Sequence, residues 1–400
     1  MQCEPITLND DFFRYIALHA GDDAMRLRLK RENITHFPLD LAITQVEIRN
    51  RRIEKKLPQW AENERVVFPS LLSTEQCSSQ ATARYKQSLV RGHSLCDLTG
   101  GLGVDLYFMS RHVERATYVE QNKLYCECAA HNFKVLDAGN ITVVNSDCAD
   151  FLNDTTECYD TIFIDPARRG NAQERLFALA DCEPNVLAMM PLLKSRCKRL
   201  IIKLSTMVDV SKLQEELEHR GKLYVVSLHN ECKEILAVID TDTDANEGCI
   251  TCVLVNGDES VAEYSFDLKR EAELSVVSSE VAQYLYEPDA ALLKAGVFKS
   301  ICHCFNVDKL HRNSHLYTSA TPVKSFVGRC FKVIEVLPFS SRLCRDFSKK
   351  YGACNITTRN FAMSAVELRK KLKVRDGGDI YLFATTNCHN EYILVVCNKI

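Results

Sequence analysis

Between Leu95 and Asp240, short runs rich in Val, Ile and Leu alternate with stretches whose apolar positions recur every three to four residues. Runs that stay apolar on both faces predict strands buried in a parallel sheet, and the periodicity between them predicts helices packed on that sheet. The pattern places strands at residues 94–97, 116–120, 141–145, 161–165, 199–204 and 223–228, with helices at 104–111, 123–136, 178–194 and 210–220. Strand and helix in alternation make a doubly wound α/β sheet, which holds ligands at the carboxyl ends of its strands.

The flanks read differently. Up to about residue 75, Phe12, Phe13, Ile16, Ala17 and Ala20 recur at helical spacing, and Leu41, Ile43, Val46, Ile48 and Ile53 continue the pattern, so residues 1–75 are expected to form a helical cap. Trp60 is expected to pack within it. The stretch TEQCSSQATARYK, residues 74–86, is rich in small polar side chains. A helix capped near Ser78 or Ser79 there would either present hydroxyls to a ligand or serve as an ordinary cap. After a strand at 235–240 come an acidic loop, a strand at 250–255 and a linker at 265–279 that takes in the region up to Pro288; a helix at 290–304 and a short strand near 315–318 suggest a compact insert. The end of the chain alternates clearly, with strands at 330–337, 354–359, 379–385 and 392–396 and helices at 341–351 and 364–372. Four parts are therefore expected: a cap at 1–75, the sheet domain at 76–258, the small insert at 276–322 and an α/β domain at 323–400.

Composition refines this picture in three ways. At 400 residues, 46% hydrophobic and 26% charged, the chain belongs to the globular class and is long enough for two to three domains. No apolar run reaches the ~20 residues that span a bilayer, and no secretory signal is read at the N-terminus, so a cytoplasmic location without membrane contact is expected. Nineteen cysteines, mostly in apolar runs, read as reduced core residues. The residual zinc candidate is Cys302-His303-Cys304 with His311 and His315. Between Val323 and Ile400 there are 14 Lys and Arg against 6 Asp and Glu, a balance of +8 that leaves −11 for the rest. Such asymmetry suits contact with a polyanion, or is a solvated basic surface.

Chemistry concentrates in SLCDLTGGLGVD, residues 94–105. Gly100, Gly101 and Gly103 let the backbone approach a ligand closely, and the following helix turns its N–H groups toward it. A dinucleotide fingerprint needs a third glycine where Leu106 stands. Acids occupy four successive strand ends: Asp97, Glu120, Asp147 and Asp165. Each alone would be a helix cap or a solvated strand end, but the four together with a glycine turn indicate a nucleotide-like cofactor site, which a ribose without a pyrophosphate fits as well as a dinucleotide. Glu120 could accept ribose hydroxyls, and Asp147 an adenine amino group.

These residues resemble class I S-adenosylmethionine-dependent methyltransferases. DLTGGLGVD stands for their first motif, with Thr99 where many members carry the first glycine; YVEQN supplies Glu120, NSDCADF supplies Asp147 with Cys148, and IFIDPARR stands for the fourth motif. The resemblance covers about residues 74–255 and implies a seven-stranded Rossmann-like sheet. It implies S-adenosyl-L-methionine as cofactor, bound by Asp97, Thr99, Gly100, Gly101, Gly103, Glu120, Asp147, Cys148 and Asp165. More narrowly, EQCSSQATARYK, DLTGGLGVD, IDPARR and HNECKEIL are similar to a group of bacterial methyltransferases with a ferredoxin-like insert and a C-terminal THUMP-like domain. That domain implies RNA as partner, commonly transfer RNA.

Methyl transfer from a sulfonium needs in-line placement of the acceptor and removal of its proton. The expected catalytic set is Asp165, Pro166, Arg168 and Lys203. Asp165 would touch or orient the acceptor, and Pro166 turns the chain away. Arg168 and Arg169 suit a phosphate or a structural salt bridge, while Lys203 is a substrate contact or a strand-end lysine. Ala167 and Arg168 stand where amino-group methyltransferases carry a base-stacking aromatic. Lys203-Leu204-Ser205-Thr206 offers no cysteine for covalent pyrimidine chemistry, although Cys232 could approach from another loop. The expected function is RNA methylation. The alternatives are a non-catalytic RNA-binding or assembly protein that keeps the sheet, and a methyltransferase of a protein or small molecule.

Overall fold

The computed structural model describes residues 6–30, 34–168, 179–242, 248–257 and 260–400. The chain divides into two compact units, the first made of Met1–Leu228, Lys233–Glu247 and Val255–Ala262, the second of His229–Cys232, Gly248–Leu254 and Glu263–Ile400.

The first unit is organised on strands β1 (Ser94–Asp97), β2 (Arg115–Glu120), β3 (Ile141–Asn145), β4 (Tyr159–Ile164), β5 (Cys197–Leu204), β6 (Lys222–Leu228) and β7 (Glu231–Asp240). Their order is β6-β7-β5-β4-β1-β2-β3, and β8 (Cys249–Asn256) and β9 (Ser260–Asp267) bring the sheet to nine strands beyond β6. Strands β1 to β5 pair in parallel, with Leu95 beside both Ala116 and Thr161 and Ile162 beside Leu200. Strand β7 runs antiparallel to β5, with Arg199 opposite Asp240 and Leu204 opposite Ile235. Helices cross over on both faces, so every residue of β1 is buried; that double burial is why the strands read as nearly continuous apolar runs.

The N-terminal helices Asp10–Leu18, Ala24–Lys30 and Leu39–Asn50 form as the apolar periodicity requires. Asn9 starts the first by accepting the Phe12 N–H at 3.0 Å. Phe12, Ile16, Leu27, Leu41 and Val46 share a core with Val67 and with Cys128 of the helix Lys123–Val135. Two buried carboxamides clip the intervening segment in place. Gln45 bonds the N–H and C=O of Phe68, and Asn132 does the same for Val67, all at 2.7–2.8 Å. Trp60 is fully buried and meets Tyr107 edge-on, as packing.

In the second unit, β10 (Tyr284–Pro288), β11 (Asp308–Lys309), β12 (Tyr317–Ser319), β13 (Gly328–Pro338), β14 (Asn355–Arg359), β15 (Ile380–Thr386) and β16 (Tyr392–Lys399) form a second sheet in the order β11-β12-β10-β13-β16-β15-β14. Alternation along β16 serves two cores. Ile393, Val395 and Cys397 join Phe331 and Phe383, while Leu394 and Val396 meet Phe347, Leu368 and Leu372 of the helices Ser341–Lys350 and Ala365–Leu372.

Three expectations about elements need correction. The linker expected at 265–279 holds the end of β9 and a helix, Leu268–Glu273, started by Asp267. The region up to Pro288 includes β10. The helix expected at 290–304 is two helices, Ala290–Ala295 and Phe298–Phe305, because Gly296 takes a left-handed φ of 74° and ends the first. Part of the helix expected at 178–194 falls outside the described residues; within them the helix is Val186–Arg196.

No described helix is long and apolar enough to cross a membrane. The described cysteines are free thiols, and most are buried. Two of the five zinc candidates make other contacts: His311 bonds Asn360 and Asn390, and His315 stacks on Phe298. Among the described residues the grouping with metal-ligand spacing is Glu280, Cys388 and His389, where His389 pairs with Glu280 at 2.8 Å on the surface.

Candidate active site

A cavity of about 910 Å³ opens at the carboxyl ends of β1, β2, β4 and β5. Every site residue expected from the sequence lines it except Arg168. The Arg168 backbone pairs with Cys182 in a two-residue ribbon; its side chain, and all of Arg169, fall outside the described residues.

One end of the cavity is built from backbone. After Asp97 the chain turns through Thr99–Gly103, where Gly100 N–H donates to Val119 O at 2.9 Å and Gly103 N–H to Gly100 O at 2.8 Å. A Cβ on Gly100 would stand 2.2 Å from the Tyr118 ring, so only glycine lets the turn settle on β2. Gly101 takes φ 53°, and its N–H donates to Glu120 Oε2 at 3.0 Å while Tyr118 Oη donates to its carbonyl at 2.6 Å. Glu120 also accepts the Asn122 N–H at 2.8 Å. Asp147 caps the helix Cys148–Asp154 through Ala149 N–H at 2.7 Å, and burial pushes the Cys148 thiol up to about 11. Asp97 is almost wholly buried and accepts the Thr99 N–H at 2.9 Å; burial first, with Asp105 and Asp165 nearby, pushes its carboxyl up to about 8.

The other end is built from charge. Lys203, near the end of β5, places its Nζ 2.5 Å from Asp165 Oδ2 and 3.5 Å from Asp105 Oδ2. Lys86, on the helix Gln80–Gln87, lies 2.5 Å from Glu234 Oε1 and 3.1 Å from Asp105 Oδ1, the latter an ion pair off hydrogen-bond angle, and donates to Ser78 Oγ at 3.2 Å. Ser78 in turn donates to Asp105 at 2.8 Å. Burial opposes charge on Lys203, yet Asp165, Asp105 and Glu234 outweigh it and hold the ammonium up. Asp105 is held down against its burial by Lys86 and then Lys203, whereas burial pushes Glu234 up against the same two lysines.

Sequence reasoning missed Lys86, Asp105 and Glu234. The signal available was the polar run at 74–86: Ser79 caps its helix through Thr82 N–H at 3.2 Å, while Ser78 belongs to the charged cluster.

Three family models match the chain: one described as conserved hypothetical protein 95 at residues 81–189, a ferredoxin-like domain at 284–326 and a THUMP domain-like region at 328–399. A solved structure of a candidate methyltransferase from Porphyromonas gingivalis W83 superposes with a TM-score of 0.88 at 34% identity over 97% of each chain. The chain belongs to this methyltransferase family. An uncharacterised S-adenosylmethionine-dependent methyltransferase of Mycobacterium tuberculosis is 24% identical over 341 residues, 83% of this chain and 89% of that protein. Ribosomal RNA small subunit methyltransferase D of Escherichia coli K12 is 33% identical over 84 residues, 21% of this chain and 41% of that protein.

The methyltransferase's cofactor is S-adenosyl-L-methionine, and the residues present fit it. The cavity volume suits a ligand of that size. A glycine turn offers backbone at close range, and the carboxylates of Glu120 and Asp147 stand in the cavity wall as acceptors for hydroxyl and amino groups. When bound, the group supplies a methyl carried on a sulfonium.

Proposed function

We propose that this methyltransferase acts on RNA, with the glycine turn, Asp97, Thr99, Glu120, Asp147 and Cys148 holding the cofactor and Asp165, Pro166 and Lys203 facing the acceptor. The observation that carries the reading is the pairing of this cavity with a C-terminal region whose charge balance is +8. The THUMP-like match over residues 328–399 and the likeness to a ribosomal RNA methyltransferase support it. Arg342, Arg345, Lys370, Lys371 and Lys373 are exposed in that region and available to phosphates.

The experiment is transfer of labelled methyl from S-adenosylmethionine into fractionated RNA and protein from cells lacking the gene. Label in RNA is expected. Label in protein or small molecules alone would overturn the reading, and cofactor binding with no transfer would favour a non-catalytic RNA-binding role. Replacing the five exposed cations by Gln should lower RNA affinity at least about tenfold and flatten its dependence on salt. An unchanged salt slope would remove the gripping role from this surface.

A further inference from the structure

We propose that the acceptor atom is an alcohol oxygen, the ribose 2′-hydroxyl of an RNA chain, held and deprotonated at the Asp165–Lys203 end of the cavity. The inference rests on the RNA reading above and names its acceptor.

Glu234, Lys86, Asp105, Lys203 and Asp165 alternate in sign along one chain of contacts. They converge from the helix before β1, the helix after it, and the strands or strand ends of β4, β5 and β7. Lys86 is completely buried and Glu234 nearly so. Taking such charges from water costs several kcal/mol per ion, and apolar side chains of similar volume would fill the space as well. Charge kept at that cost in the wall of a cleft is the physical mark of a candidate functional site. The chain of contacts opens toward the cavity: side-chain exposure rises from 0% at Lys86 through 12% at Lys203 to 38% at Asp165. A bound acceptor meets Asp165 and Lys203 first.

Acceptor classes differ in what they require. A pyrimidine carbon needs a thiolate to add to the ring. Among the described residues the cysteines lining the cavity are Cys77 and Cys148, both raised by burial, and Cys148 follows β3, two strands beyond β1 from β4. A base nitrogen is presented by holding the base between aromatic or apolar side chains, aromatic ones giving the flattest face. The aromatic residues lining the cavity among those described are Tyr125, after β2 with its hydroxyl tied to Ser70, and Phe163, sealed within β4. An alcohol needs neither. It needs a proton acceptor beside a cation, because its oxygen is a weak acid that must lose its proton as it takes the methyl group. Asp165 and Lys203 form that pair, and the 2′-hydroxyl is the alcohol that every ribose of RNA presents.

The step balances without a further reactant. The hydroxyl oxygen forms the new carbon–oxygen bond while the methyl–sulfur bond breaks and its electron pair stays on sulfur; the hydroxyl proton passes to the Asp165 carboxylate and then to water. Lys203 stabilises the negative charge that gathers on the oxygen. Lys86 and Glu234 are positioning residues that fix Asp105 and, through it, the Lys203 ammonium.

The test is total RNA from cells lacking the gene, methylated with labelled S-adenosylmethionine and then hydrolysed in alkali. A 2′-O-methyl group blocks cleavage, so label is expected in alkali-resistant dinucleotides. Label confined to base-methylated mononucleotides would overturn the alcohol inference and leave the RNA reading standing. Label only in protein or small molecules, or in no fraction, would overturn both. Lys203→Met should reduce transfer at least about a hundredfold while calorimetry shows cofactor affinity within about threefold of wild type. Lys86→Met and Glu234→Gln should lower kcat at least tenfold at unchanged KM and shift the pH–rate profile, with Lys86→Arg restoring part of the rate. Thermal melting identifies any variant that fails to fold. Folded variants with an unchanged pH profile would reduce Lys86 and Glu234 to packing.

Discussion

The two ends of the cavity solve opposite problems by opposite means. At the β1–β3 end, backbone does the shaping: Glu120 is fixed by the N–H groups of Gly101 and Asn122, and Asp147 by the helix it caps. At the end formed by β4, β5 and β7, side-chain charges hold one another, with Lys86 and Lys203 shared among three carboxylates. A ligand that is only recognised can be met by groups fixed locally. A proton that must be moved needs groups whose ionisation is controlled, and that control comes from burial and from several elements converging.

If the division holds, the largest effect belongs to the charged end. Asp165→Asn should lower kcat by about 10²–10⁴ in a methyl-transfer assay. Next, removing one buried partner should cost stability: Glu234→Ala should lower unfolding free energy by about 3–5 kcal/mol in urea titration, and Lys86→Met with Glu234→Leu together should cost less than either change alone. A double variant as unstable as the sum of the singles would break the claim that the pair is held for chemistry. At the backbone end, Gly100→Ala should destabilise by about 1–3 kcal/mol, because the Tyr118 ring must move, and should weaken cofactor binding by calorimetry. Tyr118→Leu added to it should recover part of the loss.

Asp97 gives a pH dependence that sharpens the boundary between the two ends. Its carboxyl is raised to about 8 in the fold against a usual value near 3.8, so the folded state holds the proton more tightly than the unfolded chain. Its contribution is complete below about pH 4, declines as pH rises toward 8, and is constant above. Urea midpoints between pH 5 and 8 should therefore fall less steeply in Asp97→Asn than in wild type. The smallest effect is expected at Ser79, which caps a helix: Ser79→Ala should cost about 1 kcal/mol, with kcat unchanged.

The same contrast explains what could be read from the chain. The glycine turn and the acids at strand ends were legible because each role is set within a few residues, and the strands because burial on both faces leaves unbroken apolar runs. The charged end was legible only at Asp165 and Lys203. Lys86 and Glu234 meet across 148 positions, and nothing local marks a lysine in ATARYK or a glutamate in ECKEIL as buried. The helix at Leu268–Glu273 was hidden for a similar reason. It is six residues long, and its Glu271 carboxylate is explained only by the Lys299 and Ser300 N–H groups it accepts, 28 and 29 positions away.

Thr99 joins the two ends. Its hydroxyl accepts the Asp165 N–H at 2.6 Å and lies 3.4 Å from Asp97 Oδ1, so one oxygen spans the gap between the turn after β1 and the first residue after β4. Glycine at this position would remove both contacts and leave the backbone bond from Leu98 N–H to Phe163 O, at 3.0 Å, to tie the two strand ends. With threonine, the spacing of the two loops becomes a fixed dimension of the frame, cut before any ligand arrives, as a jig sets the distance between two drilled holes.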